Sequence, residues 1–86
     1  MPLAMLNIAI VVAINPERKS FVLRSDAGFA ALEHSDPVLL AVGDEIRGDL
    51  ATRGPALLLH MKTGRPLHVA VICDWGNSVT ALSAIG

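Results

Sequence analysis

Leu40-Ala41-Val42-Gly43-Asp44-Glu45-Ile46-Arg47-Gly48-Asp49-Leu50 joins a turn signal to a strand of period two. Gly43-Asp44 is the turn, because glycine reaches positive φ without the clash a Cβ brings. Beyond it Ile46, Gly48 and Leu50 share one face and Glu45, Arg47 and Asp49 the other, the alternation of a strand with one wet side. Its wet face carries net negative charge, the wrong sign for a phosphate track on this strand.

Toward the N-terminus, Leu3 to Ile14 is almost wholly apolar. It is too short for a helix crossing about 30 Å of hydrocarbon, and it lacks the basic start and small-residue cleavage site of a signal peptide. Ile8 to Ile14 is dense in β-branched residues, which suit a pleated surface, and is expected to be a buried strand. Asn15-Pro16-Glu17-Arg18 reads as a turn with proline at its second position. Ser20 to Arg24 is a second strand, Ser25-Asp26-Ala27-Gly28 a tight connection and Phe29 to Glu33 a third strand, so this part is a meander. His34-Ser35-Asp36-Pro37 breaks it. Val38 to Val42 is expected to be a loop or single turn that packs its aliphatic side chains under the sheet.

Toward the C-terminus, the fourth strand runs from Asp44 to Leu50 or Ala51, and Thr52-Arg53-Gly54-Pro55 is a turn. Ala56 to Met61 and Leu67 to Cys73 are the fifth and sixth strands, separated by the breaker Lys62-Thr63-Gly64-Arg65-Pro66. Asp74-Trp75-Gly76-Asn77 reads as another turn. In the tail, Val79, Leu82 and Ile85 fall three apart behind a cap at Asn77 or Ser78, which suits a short helix covering one end of a barrel. Val79, Ala81, Ser83 and Ile85 fit a strand as well.

Eighty-six residues that are 52% hydrophobic make one domain, 1–86, with one core and no bias toward disorder. Aromatic residues are only 3%, so that core is aliphatic. The net charge of −1 is spread without runs and gives no strong pull toward nucleic acid or anionic membrane. Cys73 is the single cysteine, which excludes an internal disulfide and suits a reducing, cytoplasmic setting. It reads as a small buried hydrophobe.

Short strands with turn signals about every ten residues indicate a small closed barrel. The expected fold is mainly β: a small OB-like barrel of five to six antiparallel strands with a short C-terminal helix or extra strand. Arg18-Lys19-Ser20-Phe21-Val22-Leu23, Phe29-Ala30-Ala31-Leu32-Glu33-His34, the glycine-led Leu40 to Leu50 and Arg53-Gly54-Pro55-Ala56 together resemble OB-fold proteins of the cold-shock and S1-like type. The resemblance covers about residues 5–61. It implies binding of single-stranded RNA or DNA by stacking bases on exposed rings, a contact worth about 1 to 3 kcal/mol per base. The chain departs from that pattern where Lys19 and Leu32 stand at aromatic positions.

The expected nucleic-acid patch is Arg18, Lys19, Phe21, Arg24, Phe29 and His34. Trp75 either caps the barrel or anchors a protein partner, because tryptophan is rich in interface hot spots. His34, His60 and His68 lack metal-site spacing and read as separate surface or edge histidines, so no metal or cofactor is expected. No nucleophile-base pair or phosphate loop suggests an enzyme. The sequence thus implies a small intracellular binding module, with weak single-strand binding as its most specific form. The alternative is a protein-interaction or assembly module, as a homo-oligomer or with another protein, without nucleic-acid or membrane binding.

Overall fold

A computed structural model of the chain describes residues 7–26, 28–35, 40–48 and 54–86, without the side chains of Asn7, Asp74 and Trp75. The strands are β1 (Asn7–Asn15), β2 (Ser20–Ser25), β3 (Gly28–His34), β4 (Glu45–Gly48), β5 (Gly54–His60) and β6 (Arg65–Gly76), followed by helix α1 (Ser78–Ile85). They close in the order β1-β2-β3-β6-β5-β4, every pair antiparallel, a small OB-like barrel with one short C-terminal helix. β1 serves two neighbours, pairing with β4 through Asn7 to Ile10 and with β2 through Ile10 to Asn15. A bulge between Val11 and Ala13 bends it from one to the other.

The opening stretch behaves as its pattern requires where it is described. Gly43 sits at φ +99, and its N–H donates to the Val11 carbonyl at 2.8 Å, which ties the turn to β1. Ile46 is buried while Glu45 and Arg47 face outward. Asp49, Leu50 and Ala51 lie outside the described residues, as do Leu3 to Leu6, Asp36 to Leu39 and the turn residues Thr52 and Arg53.

Alternating strand residues build two apolar layers rather than one. Ala9, Val11, Phe21, Leu23, Ala30, Leu32, Ile46, Leu58, Leu67, Val69 and Val71 fill the barrel interior. Val22 and Ala31 point the other way, and with Ala81 and Ile85 they form a second cluster beneath α1. The helix therefore lies on the outer wall of the barrel and not over its end. Small residues in that wall, Ala13, Ala31 and Cys73, let the helix approach the sheet. Its start is capped by the Asn77 side chain, which accepts from the Thr80 N–H at 2.8 Å. Its end is tied down by the Asn15 side-chain amide, which donates to the Ile85 carbonyl at 2.6 Å.

Four further expectations are corrected. β6 runs on through Asp74, Trp75 and Gly76 instead of turning there, because Gly76 pairs with Phe29. A Cβ at Gly28 would meet the Gly76 carbonyl oxygen at 2.7 Å, so this close approach, at φ +120, needs glycine. Gly54, Pro55, Arg65 and Pro66 belong to β5 and β6, and the connection shrinks to residues 61–64. Leu40 does pack against the core, but Val42 stands in solvent. β1 is not buried throughout either, since Ile8 is 53% exposed on the outside of the closed wall.

Candidate functional site

The expected nucleic-acid patch does not assemble. Phe21 pairs with Leu32 and is 0% exposed, part of the barrel interior, so it offers no ring to a base. Phe29 lies on the opposite face of the hairpin, half-buried in the cluster under α1. Arg18 and Lys19 are exposed on the short 3-10 turn between β1 and β2, with Lys19 at φ 51. Arg24 is exposed near the far end of β2, about 16 Å along the strand from Lys19 at ~3.3 Å per residue. His34 is half-buried with its ring tilted against Phe21, centroids 5.8 Å apart. Trp75 lies in β6, and its side chain is outside the described set.

His60 and His68 do not meet, because they point to opposite faces of the β5-β6 hairpin. His68 is exposed, whereas His60 is 0% exposed and is no surface or edge histidine. Its Nε2 lies 2.8 Å from Asp44 Oδ2 and its Nδ1 3.0 Å from Thr63 Oγ1. The hydroxyl of Thr63 can donate or accept, so the ring is satisfied in either protonation state. Asp44 Oδ2 also accepts from the Ala41 N–H at 3.0 Å. Burial pushes the Asp44 carboxyl up, but the hydrogen bonds from His60 and Ala41, and the charges of His60 and Lys62, outweigh it and hold the carboxyl below its ordinary value. The group latches the residues before β4 to β5 and to the following turn. Among the described residues, no three His, Cys, Asp or Glu side chains gather as a metal-binding group.

Among the described residues, the outer wall opposite α1 is the surface left bare. Strand register places Ile8, Arg47, Leu59 and Pro66 in one row across β1, β4, β5 and β6. Leu57 and His68 form the next row, and Pro55, Ala70 and Glu33 the one after it. Every outward residue of β5 after its first glycine is apolar and exposed: Pro55, Leu57 at 59% and Leu59. An open cleft of about 310 Å³ adjoins it, lined by Glu33, His34, Ser35, Pro55, His68, Val69 and Ala70. Beside it the Ser35 N–H donates to the His68 carbonyl at 3.2 Å. Among the described residues, the charge in the row of Ile8 and Leu59 is that of Arg47, held at 2.7 Å to Glu45 two residues before it on β4. No known protein family, curated protein or solved structure matches the chain.

The sequence reading missed Ile8, Leu57 and Leu59 as surface residues. A run such as Ala56-Leu57-Leu58-Leu59 reads as buried on both sides, and the available signal was one of supply: one eight-residue helix can cover one wall of a barrel and not two.

Proposed function

We propose that this chain is a small, non-catalytic binding module that works through protein contact, with the bare wall of β1, β4, β5 and β6 as its docking face. The observation that carries the reading is the run of exposed apolar residues Pro55, Leu57 and Leu59, continued sideways by Pro66, with Ile8 on the far side of Arg47. Scattered apolar residues are normal on any surface, whereas a contiguous patch rimmed by polar groups marks an interaction site. The rim here is Arg47, Glu45, His68 and Glu33. The lone thiol of Cys73, half-buried under α1, supports a reducing, cytoplasmic setting.

Single-strand binding is the weaker form of the same role. Arg18, Lys19 and Arg24 can meet phosphates, but Phe21 and Phe29 are packed in the two apolar clusters and give bases no open ring. The test compares tagged wild-type chain with Leu57→Glu in co-precipitation from cells, alongside a titration with labelled oligonucleotides at low salt. Proteins retained by the wild type and lost with Leu57→Glu are the expected result. Identical recovery by both, together with tight and salt-sensitive oligonucleotide binding, would reverse the order of the two readings.

A further inference from the structure

We infer that the occupant of the bare wall is a second copy of this chain, docked face to face about a two-fold axis that sets Arg47 of each copy against Glu45 of the other. This rests on the reading of the wall as a protein-docking face and adds the identity of the partner. Closure of the barrel narrows how two copies can meet. Every strand has a neighbour on each side in the closed order, so among the described residues only short stretches, such as 54–57 of β5 on the β4 side, lack a ladder partner, and docking of this wall buries its side chains.

Charge then selects the partner. Glu45 and Arg47 project from the same outward face of β4, two residues apart, with side chains 43% exposed for Arg47 and 37% for Glu45. A strongly acidic or strongly basic partner meets one of these with a like charge, which opposes docking. A surface carrying the same two charges in the reverse direction matches both. A two-fold rotation supplies that reversal, because an isologous interface pairs one patch with itself. The chain's net charge of −1 adds little repulsion between copies.

Size sets the strength. β5 is seven residues long, about 23 Å at ~3.3 Å per residue, and four strands spaced at ~4.8 Å span about 19 Å. The flat area is therefore roughly 400 Å², below the ~800 Å² per partner of standard stable interfaces. The dimer is consequently weak, forming at high micromolar concentration and dissociating at low micromolar concentration.

The experiment is sedimentation velocity on the full chain from about 5 to about 500 µM, a range that spans such affinities. The wild type is expected to shift from monomer to dimer. Leu57→Glu should stay monomeric with an unchanged melting temperature. Arg47→Glu and Glu45→Arg should each stay monomeric alone, and an equimolar mixture of the two should dimerise again. That rescue requires the β4 charges of the two copies to meet across the interface.

A wild type that is monomeric throughout the range overturns self-pairing. So does a dimer untouched by Leu57→Glu, and so does a mixture of charge variants that stays monomeric. If self-pairing fails while co-precipitated proteins still depend on Leu57, the docking-face reading stands with another partner. If both fail, the wall is not a binding surface.

Discussion

The barrel has two outer walls with apolar residues, and the described residues cover only one of them. On the covered wall most outward residues are small or β-branched, Val22 and Ala31 among them with Phe29 at the margin, and α1 seals them with Ala81 and Ile85. On the other, the outward residues Ile8, Leu57 and Leu59 are larger and stand in solvent. Small residues bring a helix close to a sheet, whereas bulky ones standing free expose apolar area that costs free energy until something covers it. The difference teaches that the apolar content of a strand reports how many of its faces will be covered, not whether this chain does the covering.

A charge placed on each wall separates the two. Val22→Asp buries an unpaired carboxylate beneath α1 and is expected to cost about 3 to 5 kcal/mol, enough to unfold a domain of this size. Urea denaturation followed by circular dichroism measures it. A cost comparable to that of a surface substitution would mean that the helix does not seal this wall.

The bare wall is held from the inside instead. Asp44, His60 and Thr63 tie the approach to β4, the end of β5 and the turn into β6 behind the exposed leucines. Asp44→Ala leaves the His60 ring short of a partner inside the barrel, with an expected loss of about 1 to 3 kcal/mol. The Asp44 carboxyl titrates lower in the folded chain than in the unfolded one. Its stabilisation is therefore complete above the ordinary carboxylate value of about 3.9 and is lost as pH falls through its lower folded value. Denaturation midpoints from neutral pH to about pH 2 should show a steeper acid decline in the wild type than in Asp44→Ala. Parallel profiles would remove the latch from the account.

The strands of the fold were legible because Gly43, Asn15-Pro16 and Ser25 to Gly28 punctuate runs of β-branched and aliphatic residues. The phase of those strands was less legible, and the candidate site turned on it. In Ser20-Phe21-Val22-Leu23 both faces are covered, one by the barrel interior and one by α1, so no polar alternation shows which way Phe21 points. The same ambiguity hid the outward turn of Leu57 and Leu59. Asp74-Trp75-Gly76-Asn77 has turn residues throughout, and only the pairing of Gly76 with Phe29, distant in sequence, keeps β6 extended. His60 was legible in principle, since it shares the inward phase of Ala56 and Leu58. Its acid partner Asp44, sixteen positions away, is visible only once β4 and β5 pair.

The smallest expected effect lies on the bare wall. Leu57→Asp exchanges one exposed side chain for another and should change stability by no more than about 0.5 kcal/mol. Urea denaturation at low protein concentration checks it beside Val22→Asp. A loss as large as that of Val22→Asp would mean that Leu57 is covered within the single chain.

The most direct measurement is thiol reactivity, with Leu57→Cys and Val22→Cys each placed in a Cys73→Ala background and alkylated across a range of protein concentrations. At low concentration Leu57→Cys is predicted to react like an unfolded thiol while Val22→Cys reacts only on unfolding, and as concentration rises Leu57→Cys alone becomes protected. Protection of Leu57→Cys in dilute solution, or reactivity that never falls with concentration, would contradict the claim that this wall is left open by the chain and closed by a second copy.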